Sequence, residues 1–255
     1  MRVWSLEGLY CIRAGTAILP PWFGYLATAQ PGAHNPESPN SLCVISKTYQ
    51  TPVIIEQPAC ILRWLYPRAL WRMDKHERAV YLTFDDGPIP EVTPWVLDVL
   101  DHYGIKATFF MVGDNIRKHP KEFEMVKSRG HRLGNHTYNH IGGLLHGIRS
   151  YVRNVDKANE YLHTDLFRPP HGWMKWEQYI MVMLRYRVVM WDLVTRDYST
   201  RLNGRDVLLN VRRYARNGSI ITFHDSLKSQ DKLLYALPRA IEWLLSQGYT
   251  FKVFD

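Results

Sequence analysis

Cysteine is scarce in this chain of 255 residues, and a long hydrophobic run is missing. The three cysteines, Cys11, Cys43 and Cys60, all lie in the first quarter, and an odd, clustered set excludes a disulfide framework. No apolar run of about 18 residues is free of charge, so the sequence contains no clear membrane span. Because 46% of the residues are hydrophobic and 22% are charged, the composition is that of a globular protein with a sizeable core.

Acidic residues are fewer than basic ones, 24 against 32, yet no five consecutive basic residues occur. The net charge of +8 favours anionic surroundings such as a cell-wall polymer, although charges spread over solvated surfaces are the interpretation that we prefer. Zinc-finger spacing and the aromatic signature of RNA-binding domains are both absent. We therefore predict no nucleic-acid partner.

Residues 1–52 differ in composition from the rest of the chain. They carry five charges and six of the 15 prolines, without helical or strand periodicity. The uncharged stretch 14–29 follows Arg2 and Arg13 and loosely resembles a signal peptide, but two adjacent prolines interrupt it. We predict a disordered extension or residues upstream of the natural start. The compartment, cytoplasm or cell envelope, stays open.

Residues 53–77 interleave aromatic and basic side chains such as Arg63, Trp64 and Trp71. A segment of this kind can lie at a membrane interface. Its internal prolines make it a poor amphipathic anchor, so we predict a linker that packs on the domain formed by residues 78–255.

From residue 78 onward, short apolar runs alternate with segments of helical periodicity. This alternation predicts an α/β fold of about seven parallel strands covered by helices, because strands buried on both faces are continuously apolar. A closed or nearly closed β/α barrel and an open doubly wound sheet both fit. The predicted strands are 80–84, 107–112, 131–135, 166–168, 188–193, 219–223 and 250–254.

Polar clusters follow five of the predicted strands. In a parallel β/α barrel the carboxyl ends of all strands share one face, and active sites lie there. We therefore expect the clusters to converge on a single site. They are residues 85–88, 136–140, 168–172, 192 with 197–198, and 224–225.

His136 and His140 are four residues apart, which brings both rings to one side of a helical turn. Such pairs commonly bind divalent metal ions. Together with Asp86 they make two imidazoles and one carboxylate, a set that leaves coordination positions for water and substrate. With Asp86 bound to the metal ion, Asp85 would stay free as a general base. Taken alone, the pair Asp85-Asp86 before Gly87 instead favours a structural interpretation, an Asp-Gly turn with helix capping.

Two further polar residues have both a functional and a structural interpretation. Arg168 precedes two prolines, and it is either a surface arginine in a rigid turn or the partner of an active-site carboxylate. His224 ends a strand and could donate a proton to a leaving group, oriented by Asp197 or Asp192. A structural histidine bonded to a carbonyl is the alternative.

In this order the clusters resemble the motifs of the polysaccharide deacetylases, the NodB-homology enzymes of carbohydrate esterase family four. The resemblance covers residues 78–254. It implies a distorted β/α barrel and a hydrolase that uses a divalent metal ion, usually zinc, to remove N- or O-acetyl groups from a carbohydrate. The blocks that carry it are 83–88, 134–140, 167–172, 191–198 and 220–225.

The resemblance also implies a role for each motif residue. Asp85 is the general base, and Arg168 holds it. His224 is the general acid, and Asp197 tunes its pKa. The implied metal ligands are Asp86, His136 and His140.

Five residues are expected at the substrate, and three of them depart from the family pattern. His171 stands where a tyrosine is common, but its backbone N–H is still expected to stabilise the oxyanion. Gly172, the next residue, is also expected at the substrate. Tyr198 stands where tryptophan is usual, and Thr222 where a leucine often lines the acetyl pocket, which predicts a differently shaped pocket. Trp173 either stacks on a sugar ring or packs in the core.

Three hypotheses about function follow. The first is a metal-dependent carbohydrate deacetylase. The second is a non-catalytic sugar-binding descendant of the fold, which the complete set of motif residues disfavours. The third is a metal hydrolase of another amide or ester, since one fold hosts several substrates. The identity of the polymer and the oligomeric state stay open.

Overall fold

The computed structural model of the protein describes residues 56–58 and 60–255. The predictions for residues 1–52, with the stretch that resembles a signal peptide, lie outside the described residues. Within the described part, none of the helices combines the length and the hydropathy that a membrane-spanning helix needs.

The described residues form one parallel sheet that curls into an incomplete barrel, which confirms the predicted α/β fold. The strand order is β5-β4-β3-β2-β1-β7-β6, and β8 pairs with the start of β1. All seven residues of the central strand β1 are buried. The strands are β1 (Ala79–Asp85), β2 (Thr108–Met111), β3 (Arg132–Asn135), β4 (Leu166–Phe167), β5 (Arg187–Val188), β6 (Leu193–Val194), β7 (Ile220–His224) and β8 (Thr250–Lys252).

Helices cover the sheet and alternate with its strands, as the apolar periodicity predicts. Three of them end two residues before a glycine with a positive φ, at Gly104, Gly130 and Gly248. One helix, α3, follows β2 directly and was not predicted. The helices are α1 (Cys60–Leu65), α2 (Thr93–His102), α3 (Gly113–Lys118), α4 (Pro120–Ser128), α5 (Ile148–Leu162), α6 (Trp176–Met183), α7 (Gly204–Tyr214) and α8 (Gln230–Ser246).

The strand predicted over residues 188–193 is in fact two short strands, β5 and β6, which do not pair with each other. Between them, Leu70 pairs with Val189, because its backbone N–H donates to Val188 and its carbonyl accepts from Met190. Three residues later, the N–H of Met73 donates to the carbonyl of Gly218, just before β7. The chain before the sheet therefore lies in the opening of the incomplete barrel.

Both faces of the sheet are buried, since alternate residues of a strand point to opposite sides. Leu82 and Phe109 belong to the large core between the sheet and the outer helices. Their neighbours Tyr81 and Phe110 belong to a smaller cluster with residues of β4 and β7. These opposite-facing clusters explain the continuous apolar runs, and the smaller one lies beneath the residues of the site.

Candidate metal centre and active site

The polar clusters at the carboxyl ends of the strands meet around one pocket of about 490 Å³. Six loops that follow strands, and the carboxyl-terminal parts of β1, β6 and β7, contribute to it, as expected for a parallel β/α arrangement. Most of the residues expected at the site line it directly: Asp85, Asp86, His136, His140, His171, Gly172, Trp173, Tyr198, Thr222 and His224. Arg168 and Asp197 lie behind this lining, and each contacts one of its members.

Asp86, His136 and His140 form the group that a metal ion would require. One ligand atom from each lies within 4.8 Å of the other two. Asp86 Oδ1 is 3.2 Å from His140 Nε2 and 3.8 Å from His136 Nε2. One carboxylate and two imidazoles match the donor set of catalytic zinc sites, so these residues can hold a divalent metal ion.

The surroundings of His136 leave its Nε2 atom free to bind a metal ion. Its Nδ1 lies 2.8 Å from the carbonyl oxygen of Arg168, so the ring proton belongs on Nδ1 and the lone pair of Nε2 faces Asp86. A backbone carbonyl in this position is a common support for metal-binding histidines. Burial lowers the pKa of His136 to about 4, which keeps the ring neutral and able to bind a cation.

Asp86 stays ionised despite its surroundings. Burial raises the pKa of this carboxyl, but the hydrogen bond from His140 and the charge of His224 outweigh that effect. The pKa of Asp86 therefore lies well below its ordinary value, and the carboxylate can bind a cation over the whole physiological range.

The backbone around the triad is held in an unfavourable region. Asp86 has a φ of 84° and His140 a φ of 53°, which is left-handed for residues that are not glycine. Thr137, with a φ of 64°, is fixed because its N–H donates to Asn135 Oδ1, while the Asn135 amide donates to the carbonyl of Val155 on α5. Strain of this kind persists where surrounding contacts enforce it, commonly at functional sites.

Asp85 and Arg168 form a buried ion pair beside the triad. Arg168 is fully buried, and its Nη1 lies 2.6 Å from Asp85 Oδ1. The guanidinium also donates to Thr83 Oγ1 and to two backbone carbonyls, and it lies 4.1 Å from the centre of the Phe110 ring. A buried arginine with this many partners fixes a neighbouring carboxylate in one orientation.

The turn after the two aspartates is held by Asp225. Its carboxylate accepts from the N–H of Gly87 at 3.0 Å and from the hydroxyl of Thr93 at 2.6 Å. A Cβ on Gly87 would lie 2.0 Å from Asp225 Oδ2, so only glycine fits here. Thr93 also accepts from the N–H of Ile89 and is the first residue of α2, but its side chain makes no capping bond.

His224 is held by Asp197 and by an aromatic ring. Its Nδ1 lies 2.8 Å from Asp197 Oδ1, and the ring of Tyr198 packs edge-on against it at 4.8 Å. Burial lowers the pKa of His224, but the carboxylates around it, with Asp197 as the largest contributor, raise the pKa to about 9. Asp192, the other carboxylate considered for this role, instead pairs with Arg216.

The loop after β4 brings three expected residues into the pocket. His171 has a φ of 60°, and its ring packs edge-on at 4.8 Å against that of His140. Gly172 has a φ of 74°, and a Cβ there would lie 2.1 Å from the ring of Trp191. Trp173 is 40% exposed and lines the pocket, so it is available to stack on a ligand rather than packed in the core.

Several pocket residues were not predicted. Trp191, Ser226 and Lys228 lie in or just after the fourth and fifth motif blocks, so the motif positions contained a signal for them. Leu62 of α1 lies far from every motif, and only the tertiary packing brings it to the pocket.

Comparisons with known proteins agree with this geometry. A family model described as polysaccharide deacetylase matches residues 72–181. A peptidoglycan-N-acetylglucosamine deacetylase of Bacillus cereus is 30% identical over 194 residues, which cover 71% of this chain and 88% of the relative. The chain belongs to the polysaccharide deacetylase family. The expected activity class, a hydrolase that deacetylates carbohydrate, is thereby confirmed.

Two further similarities extend over most of the deacetylase domain. A chitooligosaccharide deacetylase of Sinorhizobium fredii is 31% identical over 208 residues, 73% of this chain and 95% of the relative. The solved structure of the Bc1960 peptidoglycan N-acetylglucosamine deacetylase has a TM-score of 0.71 and 28% identity. That similarity covers 75% of this chain and 94% of the solved one. Relatives in the polysaccharide deacetylase family thus act on polymers that contain N-acetylglucosamine.

Proposed function

We propose that this protein removes N-acetyl groups from a glycan that contains N-acetylglucosamine, with Zn²⁺ held by Asp86, His136 and His140. The observation that carries the proposal is the proximity of this triad to the Asp85–Arg168 ion pair and to His224 around one pocket. The named activities of the two relatives support the choice of sugar.

A zinc ion held by the triad would polarise the acetyl carbonyl and lower the pKa of water from about 15.7 towards about 7. Asp85 takes the proton of the attacking water. Arg168 holds the Asp85 carboxylate in place at the pocket through the 2.6 Å contact. Because Asp85 accepts the hydrogen bond from Arg168 through Oδ1, its other carboxylate oxygen is available to accept the proton of the water.

His224 donates a proton to the departing sugar nitrogen, which is necessary because an amine anion is a very poor leaving group. Asp197 orients His224 through Nδ1 and keeps the ring protonated near neutral pH, which leaves Nε2–H as the proton donor. The backbone N–H of His171 stabilises the developing oxyanion, while Gly172, Trp173, Tyr198 and Thr222 shape the pocket around the acetylated sugar.

Acetate release tests the proposal directly. The substrates are N-acetylglucosamine oligomers and peptidoglycan, assayed with and without a chelator, beside Asp85→Asn and the surface control Asp231→Asn. We expect acetate release that disappears with the chelator, returns with Zn²⁺ and is missing only in Asp85→Asn. Restoration by another divalent ion and not by Zn²⁺ would overturn the choice of metal.

The polar Thr222 and Tyr198 favour one second candidate, a hydrolase of another acyl group on sugars. Both side chains line the pocket, and Thr222 Oγ1 lies 3.2 Å from Thr83 Oγ1. Sugars that carry other acyl groups, assayed for release of the corresponding acid, distinguish this candidate. Stoichiometric metal without turnover of any acylated sugar would instead favour a sugar-binding role.

A further inference from the structure

The chain before the first strand contacts two of the loops that form the pocket. These residues, 56–58 and 60–71, are called the brace below, and they precede the region that the family model matches. At one end, the carbonyl of Glu56 accepts from the N–H of Val194, and its carboxylate lies 2.6 Å from Arg196 Nη1. Arg196 directly precedes Asp197, so the brace holds the loop that carries the partner of His224.

A buried ion pair fixes the middle of the brace. Arg63 Nη2 lies 2.9 Å from Asp192 Oδ1, and Asp192 is fully buried. The same carboxylate accepts from Arg216 and from the hydroxyl of Ser219. Arg63, which is about one-third exposed, thus connects α1 to a buried carboxylate of the domain that also binds Arg216 and Ser219.

Tyr66 connects the brace to the loop after β4. Its hydroxyl donates to the carbonyl of Met174 at 2.6 Å and accepts from the N–H of the same residue at 3.0 Å. Met174 directly follows Trp173, whose ring lines the pocket. Tyr66 is buried, and its two bonds therefore fix the backbone position from which Trp173 projects.

Leu62, which lies between Glu56 and Arg63 in the sequence, reaches the pocket itself. It lines the same pocket as Trp173 and Trp191, although it is more than 100 residues away from either in the sequence. The next leucine of α1, Leu65, is 45% exposed and is not part of the lining. The position of Leu62 in the pocket is thus specific to one face of α1.

We propose that α1 is a wall of the substrate cleft, in which Leu62 contacts the apolar face of a sugar ring and Tyr66 is a positioning residue for Trp173. This inference rests on the proposed function, and it adds a glycan-binding element outside the deacetylase motifs. Sugar rings present C–H faces that pack on aliphatic and aromatic side chains, and the pocket that Leu62 lines also contains Trp173 and Trp191.

The test compares a long N-acetylglucosamine oligomer with a small acetyl ester that reaches only the metal and the catalytic residues. For Leu62→Ala we expect KM for the oligomer to rise about three- to ten-fold, with kcat and the hydrolysis of the small ester unchanged. Leu65→Ala is the matched control, and it should leave both substrates unaffected. Equal oligomer KM values in Leu62→Ala and Leu65→Ala would overturn the proposal.

Tyr66→Phe tests the positioning role, because it removes both bonds to Met174 and keeps the ring. We expect a higher oligomer KM, an unchanged metal content and an unchanged rate on the small ester. A uniform loss on both substrates would indicate a merely structural role for Tyr66.

Calorimetric binding of the oligomer to the metal-loaded protein separates this inference from the proposed activity. Weaker binding by Leu62→Ala than by Leu65→Ala supports the wall even if no acetate is released, whereas equal binding overturns it.

Discussion

A single carboxylate holds His224 through both its backbone and its ring. Asp197 Oδ2 accepts from the N–H of His224 at 2.7 Å, and Asp197 Oδ1 lies 2.8 Å from Nδ1 of the same residue. Both groups are almost completely enclosed by protein. This double contact fixes the position, the tautomer and the charge of His224 together.

Asp197→Asn should therefore change the pH profile as well as the rate. His224 keeps its proton up to about pH 9 in the wild type, and loss of the Asp197 charge lowers its pKa. We expect the alkaline limb of kcat/KM to move to lower pH and activity at neutral pH to fall about 100-fold or more. The measurement is kcat/KM against pH, with the half-exposed Asp165→Asn as control. If the alkaline limb of the kcat/KM profile stays at the same pH, His224 is not the general acid.

Gly87→Ala should disturb the turn that carries Asp85 and Asp86. The new Cβ would lie 2.0 Å from Asp225 Oδ2, so either this carboxylate or the turn must shift. A displacement of about 1 Å can reduce turnover about 100-fold, and we expect a loss of this size in kcat. Gly147→Ala is the control, because no atom lies within 4 Å of the added Cβ. Equal turnover of the two variants would show that the turn is not required.

Lys228 should favour substrates that carry a carboxylate. It lines the pocket, is exposed, and has no acidic partner within 4.0 Å among the described residues. For Lys228→Glu we expect kcat/KM on peptidoglycan to fall about three- to ten-fold relative to neutral N-acetylglucosamine oligomers, with a smaller effect at high salt. Lys232→Glu on α8 is the control. If the ratio of kcat/KM on peptidoglycan to kcat/KM on the neutral oligomers is equal in both variants and independent of salt, electrostatic selection at this position is excluded.

His131 should make stability depend on pH independently of catalysis. Burial, with a smaller effect from the charge of Lys106, lowers its pKa to about 4, while its Nδ1 accepts from the N–H of Ala107. Because the pKa in the unfolded chain is higher, unfolding takes up a proton between these two values. The contribution to stability is complete above pH 6.5 and decreases as the pH falls towards 4.

Urea unfolding at pH 7 and pH 5 tests this prediction. From pH 7 to pH 5 the wild type should lose about 2 kcal/mol more unfolding free energy than His131→Gln, which has no titrating group there. Equal losses in the two proteins would mean that His131 titrates normally in the fold.

Local patterns were sufficient to predict the fold class and the metal group. The four-residue spacing of His136 and His140, and the aspartates at the end of β1, are short-range signals, and parallel strands bring their carboxyl ends together. The helical turn expected from that spacing was wrong, because residues 136–140 form an irregular loop with a positive φ at Thr137 and His140. Long-range packing was not predictable in this way. The role of Asp192 as a partner of Arg63 and Arg216, and not of His224, depends on which loops lie side by side.

The division of the predicted strand 188–193 has the same physical origin. Its residues are apolar enough for one continuous strand, but Leu70 occupies the hydrogen-bonding position beside Val189. A contact between residues so far apart leaves no trace in local periodicity. Leu62 was missed for the same reason, since helix propensity does not indicate which face of α1 meets the pocket.

The position of Leu70 between β5 and β6 also bears on self-association. Unpaired strand edges are templates for pairing with another chain. Leu70 satisfies the carbonyl of Val188 and the N–H of Met190, which would otherwise present a free ladder. We therefore expect a chain trimmed to begin at residue 72, where the family match starts, to expose this edge and to aggregate more readily than the longer chain.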